Sequence, residues 1–281
     1  MASPVLPPFA YFGGKTRLAS QIAAAFPPHE HYVEPFGGSL AVLLAKPRSR
    51  METVNDLDGD LMTFWRVLRD QPADLARVCA LTPHSRAEHL EAYALDDAPD
   101  DLERARRVWV LLTQGRGGQM KQTGWRHYVD PAGSVTSMPG YLEAYVGRIE
   151  PAAARLAGVS LECQPALDLC TRYGKSRNVL LYVDPPYLGS TRYSGGYRHE
   201  MKTEAGHRDL AAVLRGSAAT VVLSGYDSPL YLELYPDWHV TRIETTTGQG
   251  GTRQERTEVL WSNRLPEPHL FTELEGNPDG E

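Results

Sequence analysis

Residues 178–187 read Asn-Val-Leu-Leu-Tyr-Val-Asp-Pro-Pro-Tyr, an unbroken apolar run that ends on an acid, two prolines and an aromatic ring. A short, β-branched run of this kind fits a strand buried on both faces, as in the middle of a parallel sheet. Each proline disfavours the helical region for the residue before it, so Asp184 and Pro185 are held extended, and neither proline offers an N–H. The strand therefore stops at a rigid, acceptor-rich corner. In a parallel α/β sheet the carboxyl end of a central strand opens on the ligand crevice. A planar ring bearing an amino group suits such a corner: the Asp184 carboxylate and the Pro185 carbonyl each accept one amino hydrogen, and Tyr187 stacks on the ring. The same four residues also fit a plain proline-terminated strand whose Asp184 caps the next helix.

Working outward, further short apolar runs predict strands near 31–36, 51–55, 158–163, 219–225, 238–245 and 256–262. Helical spacing falls between most of them, at 15–26, 38–46, 58–70, 165–172 and 206–215. This alternation predicts an α/β fold with a mostly parallel sheet and helices on its faces. The last two strands are joined only by Thr247-Gly-Gln-Gly-Gly251, too short for a helical crossover, so they should pair antiparallel. Between about 70 and 157 the strand signal fades and helical spacing dominates, as in Leu102, Ala105, Val108, Trp109 and Leu112. That block is expected to be an insertion, residues 71–157, dividing a domain formed by 1–70 and 158–265. Within it, residues 114–127 are rich in glycine, polar groups and cations, which predicts a loop or ribbon. The segment 266–281 is expected to be a loose acidic tail.

At 281 residues with 42% hydrophobic and 23% charged, the chain can fill one large core. No basic cluster precedes an apolar block at the start and no apolar stretch approaches a membrane span, which argues against secretion and membrane insertion. Cys79, Cys163 and Cys170 are odd in number and form no C-x-x-C pair, so a reducing cytoplasm is expected and neither a disulfide framework nor a zinc site is suggested. The net charge of −6 argues mildly against nucleic acid, yet its distribution is uneven. From 104 to 129 the chain carries Arg104, Arg106, Arg107, Arg116, Lys121 and Arg126 and no acid, directly after an acidic stretch. A charge run is usually a solvated face, so nucleic-acid contact is one of two readings here.

Three more motifs bear on chemistry. Val33-Glu-Pro-Phe-Gly-Gly-Ser39 is a strand entering a glycine turn, where a ligand can approach the backbone and a helix start favours an anion. Asn55-Asp56-Leu57-Asp58 ends the next strand about 20 residues on, where an acid commonly binds ribose hydroxyls. Asp58 is read more simply as the cap of the following helix, Asp56 as the ligand. Phe12-Gly-Gly-Lys-Thr16 invites comparison with a phosphate-binding loop, but the required first glycine is replaced by Phe9. Lys15 is placed either to pair with an anionic ligand group or to face solvent.

In this order, Tyr11-Phe-Gly-Gly-Lys15, Glu34-Pro-Phe-Gly-Gly-Ser39, Asn55-Asp56 and Asp184-Pro-Pro-Tyr187 resemble the Dam-type family of S-adenosylmethionine-dependent DNA adenine-N6 methyltransferases. Gly250-Gly-Thr-Arg253 followed by Glu258-Val-Leu-Trp261 resembles the carboxyl end of that family. Two positions depart from its usual pattern: Leu40 stands where a further glycine is common, and Tyr11 where tryptophan is common.

The resemblance implies a Rossmann-like methyltransferase sheet with an antiparallel last strand and a helical target-recognition insertion. It implies S-adenosylmethionine as cofactor, bound by Tyr11, Gly14, Lys15, Glu34, Pro35, Phe36, Gly37, Gly38, Asp56 and Asp184, with Lys15 on its carboxylate and Asp56 on its ribose. Asp184, Pro185, Pro186 and Tyr187 would be catalytic, acting without a metal on an adenine flipped from double-stranded DNA. The cationic loop adds Arg116, Lys121 and Arg126 as candidate DNA contacts. No protein partner is implied, and the expectation is a bacterial or phage-encoded monomer in the cytoplasm, associated with the nucleoid. Methylation of cytosine N4, a noncatalytic DNA-binding relative, and an RNA or protein methyltransferase are the alternatives.

Overall fold

A computed structural model of the chain describes residues 4–130, 136–187, 203–225, 227–249 and 252–265, leaving aside the side chains of 245–249 and 252–256. The expected acidic tail and the glycines at 250 and 251 lie outside the described residues. Seven strands form one sheet: β1 (His31–Glu34), β2 (Met51–Asn55), β3 (Ser160–Glu162), β4 (Val179–Val183), β5 (Thr220–Gly225), β6 (His239–Gln249) and β7 (Thr252–Ser262). Their order is β3-β2-β1-β4-β5-β7-β6. The first five are parallel, β7 runs antiparallel to β5, and β6 pairs antiparallel with β7 as the short link between them required.

From β1 the chain winds outward through β2 and β3; from β4 it winds the other way. The carboxyl ends of β1 and β4 therefore flank a topological switch point, where open α/β sheets hold their ligands. Every residue of β4 is buried because helices cover both faces. Leu180 and Tyr182 join the core with Tyr32, Val54, Val222 and Leu260, under α1 (Ala19–Ala24), α2 (Ala41–Ala45) and α3 (Gly59–Asp70). Val179, Leu181 and Val183 face a second core with α9 (Ala166–Tyr173) and α10 (Glu204–Arg215).

The block from 71 to 157 supplies α4 (Pro72–Leu81), α5 (Arg86–Glu91), α6 (Asp101–Gln114), α7 (Met138–Val146) and α8 (Ile149–Leu156). Leu75, Val108, Trp109, Leu112, Ile149 and Leu156 are buried in the same core as Phe9 and Trp65, so these helices continue the sheet's packing. A buried cluster ties β2 to α8: Glu52 accepts from Lys46 at 2.7 Å and from both terminal guanidinium nitrogens of Arg155 at 2.5 and 2.8 Å.

Two helices are shorter than their spacing suggested. The 15–26 helix begins at Ala19, because residues 12–13 and 16–18 are turns, with Gly13 at a φ of 75°. The 38–46 helix begins at Ala41, because Gly38 and Leu40 both take left-handed backbone, at φ 50° and 51°. Leu40 is fully buried. Burying a leucine is worth about 1.5–3 kcal/mol, enough to offset about 1–2 kcal/mol for the left-handed conformation.

Candidate active site

Residues 11–15, 34–39 and 55–58, separated in sequence, meet Ala166, Tyr182, Asp184 and Pro186 around a cavity of about 820 Å³, counted out to open solvent, at the carboxyl ends of β1, β2 and β4. All ten residues expected to contact the cofactor line it. Gly38 turns there at positive φ, and a side chain on it would come within 2.9 Å of the Tyr11 ring. Asp56 accepts from the Gly38 N–H and from the Asp58 N–H, each at 2.9 Å, which fixes the glycine turn against the end of β2. Asp58 caps α3, accepting from the N–H groups of Asp60 and Leu61. The simpler reading of Asp58 thus holds.

At the other end of the cavity Asp184 does not cap a helix; the next described helix, α10, is capped by Thr203. One oxygen of Asp184 instead accepts from Lys15 Nζ at 2.9 Å and from the Tyr187 hydroxyl at 3.3 Å. Lys15 is only 7% exposed, which rules out the solvent-facing alternative. Its ammonium lies 4.9 Å from the Tyr187 ring centre and 3.9 Å from Glu258 Oε1. Tyr187 and Ser224 both donate to Glu258. Pro185 and Pro186 are buried and hold the corner. Glu258 was not among the expected site residues. Its partners lie 34 to 243 residues away in sequence, and the only signal was the likeness of its tetrapeptide to the family's carboxyl end.

The electrostatics follow from burial and neighbours. Burial alone would lower the Lys15 ammonium, but Asp184 and then Glu258 outweigh it and hold it above its ordinary value. Burial raises Glu258, with Lys15 opposing and Asp184 adding. Burial also pushes Glu34 up to about 8, against the hydrogen bond from Tyr32 and with a further push from Asp184. A carboxyl whose folded value is raised contributes stability below about 4.5, and loses it as pH climbs through about 8. Glu34→Gln should therefore melt higher than the wild type, with a gain that grows between about pH 4.5 and 8 and is level above, as thermal melting across pH would show.

Half of the expected cationic run is spent within the molecule. Arg104 pairs with Asp60, Arg106 with Glu88 and Glu103, and Arg107 with Glu103, so the local surplus is smaller than the sequence suggested. Residues 114–126 do form a ribbon, with Gly115 bridged to Trp125 and Arg116 N–H bonded to the Gly124 carbonyl at 3.0 Å. Trp125 is stacked between His84 at 4.3 Å and His127 at 5.2 Å. Arg116 and Lys121 are exposed, whereas Arg126 is held over the Tyr141 ring at 4.2 Å and donates to the Tyr128 hydroxyl. None of the three lines the cavity.

A glycine-turned pocket at the switch point of a parallel sheet with an antiparallel seventh strand is a Rossmann-like α/β arrangement. The model of one family, D12 class N6 adenine-specific DNA methyltransferases, matches residues 11–106 and 148–249. The Type II methyltransferase M1.LlaDCHI of Lactococcus lactis subsp. cremoris is 28% identical over 281 residues, spanning 92% of this chain and 95% of that protein. The Retron Ec67 DNA adenine methylase of Escherichia coli is 24% identical over 265 residues, 88% of each chain. Among solved structures, an rRNA methyltransferase from Streptomyces viridochromogenes aligns at 15% identity with a TM-score of 0.36, covering 91% of this chain and 87% of that one.

The chain belongs to the D12 class N6 adenine-specific DNA methyltransferases. It is a DNA adenine-N6 methyltransferase that uses S-adenosylmethionine, and the cytosine and noncatalytic alternatives are not favoured. The residues present fit that cofactor. The cavity walls carry Asp56, Asp58 and Asp184 against Lys15, a surplus of acid that suits a cationic sulfonium, and Asp56, just past the end of β2, suits ribose hydroxyls. Among the described residues no group of His, Cys, Asp and Glu could hold a metal ion, and no helix is long and apolar enough to cross a membrane.

Proposed function

We propose that the chain acts on an adenine swung out of duplex DNA, with residues 184–187 gripping the base and the glycine-turned cavity holding the methyl donor. The observation that carries this is Asp184 itself, which lines the cavity and belongs to the proline corner at once. S-adenosylmethionine supplies an electrophilic methyl group. The adenine amine is a poor nucleophile because its lone pair is delocalised into the ring. Acceptance of its two hydrogens by the Asp184 carboxylate and the Pro185 carbonyl favours a pyramidal nitrogen whose lone pair is free to attack. As positive charge builds on that nitrogen, Asp184 stabilises it and is the base within reach of the departing proton. Extruding the base costs a few kcal/mol, and stacking on Tyr187 offsets part of it. Lys15 now covers that ring and holds one Asp184 oxygen, so entry of a base moves its ammonium toward Glu258, 3.9 Å away.

We assign residues 71–157 to target recognition and residues 1–70 with 158–265 to catalysis. The family match skips 107–147, the middle of that block, which supports a variable segment there, while 71–106 and 148–157 fall within the match. Arg116 and Lys121 are the exposed cations of the ribbon and the candidates for base and phosphate contact; Arg126 serves to hold the ribbon on α7. Lys121→Ala should lower the salt slope of DNA binding by about 1 without changing the preferred site. Arg116→Ala should relax the site preference by about 1–3 kcal/mol, read from competition between target and altered duplexes.

The likeness to a Type II methyltransferase supports a place in restriction-modification, and action on nucleoid or phage DNA in the cytoplasm is proposed with it. The direct test is expression in a methylation-free host followed by sequencing with modified-base detection. N6-methyladenine in a single sequence context is expected; N4-methylcytosine, or unmodified DNA, would contradict the proposal.

A further inference from the structure

The Tyr182 hydroxyl is buried in the cavity wall without a hydrogen-bond partner among the described residues. Its residue is 1% exposed, and its ring is fixed in the core beside Phe26 at 5.4 Å between centroids. Three other buried side chains, Thr123, Arg155 and Trp261, also carry an unpartnered polar atom, but none of them lines the cavity. A buried hydroxyl without a partner is costly, and such a group in a ligand site is normally satisfied by what binds there.

Its place in the sheet says which part of a ligand that is. Tyr182 lies two residues before Asp184 on β4, hence on the same face and about 7 Å deeper along the strand. Its charged neighbours are Asp184, Lys15 and Glu34. The ribose-suited acid Asp56 stands just past the end of β2, two strands away and about 10 Å across the sheet. A donor whose nucleoside lies at β2 extends its amino-acid head toward β4. There Glu34 and Asp184 already offer acceptors to an ammonium group, whereas Tyr182 offers an O–H donor.

We propose that the Tyr182 hydroxyl donates to the carboxylate of the donor's amino-acid head, and so is a cofactor-binding residue. The inference rests on the reading of the cavity as the donor pocket. It is tested without turnover, by calorimetric binding of two ligands to the full chain. S-adenosylhomocysteine keeps the amino-acid head, and 5′-methylthioadenosine lacks it. Tyr182→Phe should weaken S-adenosylhomocysteine about tenfold, as loss of a hydrogen bond to a charged group would. It should leave 5′-methylthioadenosine unchanged, and the unliganded variant should melt no lower than the wild type, because it has lost an unsatisfied group. Equal binding of S-adenosylhomocysteine by variant and wild type, equal weakening of both ligands, or a lower melting temperature of the unliganded variant would each overturn the inference. A wild type that binds neither ligand would sink the pocket reading, and this assignment with it.

Discussion

Asp184→Asn is expected to slow methyl transfer by about 10²–10³-fold, the usual effect of removing one preorganised electrostatic contact to a developing charge. Binding of S-adenosylhomocysteine should weaken severalfold at most, because Glu34 and the asparagine oxygen still accept from the ammonium of its amino-acid head. Asparagine keeps the shape of the corner and an oxygen to accept from Lys15 and Tyr187, but it brings no negative charge to the nitrogen and cannot take its proton. Alanine is the poorer probe. It would leave the buried Lys15 ammonium with the Gly13 carbonyl at 3.2 Å and, as its remaining carboxylate, Glu258 at 3.9 Å, and breaking a buried pair from one side costs enough to confuse activity with folding. The measurement is single-turnover transfer alongside ligand calorimetry. Parallel loss of both would remove Asp184 from the chemical step and leave it a part of the pocket wall.

The second large effect lies far from the chemistry. Glu52→Ala should destabilise the protein by about 3–5 kcal/mol, because Lys46 and Arg155 would then be left as buried cations without their shared carboxylate. For a chain of this size that is a fall in melting temperature on the order of 10 °C. Burial alone would raise the Glu52 carboxyl, but hydrogen bonds from Arg155 and then Lys46 outweigh it and bring it down to about 2. A carboxyl lowered on folding contributes fully above its ordinary value of 4.5, and that contribution is lost as pH falls from there toward about 2. Acid unfolding should therefore separate the two proteins most at neutral pH and least at the acid end. A variant that melts like the wild type at pH 7 would show that the cluster carries no stability.

Much of this was readable in advance because the signals were local. The strands at 31–34, 51–55 and 179–183 stand where the sequence put them, and 179–183 shows why most plainly: a strand between two helical layers needs apolar residues on both faces. Most of the site was legible for a related reason: residues 35–39, 56–58 and 184–187 each follow a strand, and parallel strands deliver their carboxyl ends to one edge, whereas residues 11–15 precede the first strand. What escaped the sequence was long-range pairing. Arg104 looks free until Asp60, 44 positions earlier, is brought beside it. Lys15 looks equally able to face a ligand or water until Asp184, 169 positions later, closes on it. The late start of α2 escaped for another reason. Leu40 adopts a backbone better suited to glycine, and only its burial makes that tolerable.

The ribbon and the cavity share a joint. The Gly118 carbonyl accepts from the Phe12 N–H at 2.8 Å, and Gly118 sits so tightly on the chain that a side chain there would come within 2.6 Å of the Ala10 carbonyl oxygen. Tyr11, between those two residues, packs its ring on Gly38. A tug on the ribbon is therefore a tug on the wall of the methyl-donor chamber. If duplex DNA seats on Arg116 and Lys121, a wrong sequence need not be rejected on arrival; it can be held and still fail, because a poorly seated ribbon leaves the donor a fraction of an ångström out of line. Discrimination would then be written in the rate of the reaction as much as in the grip on the helix.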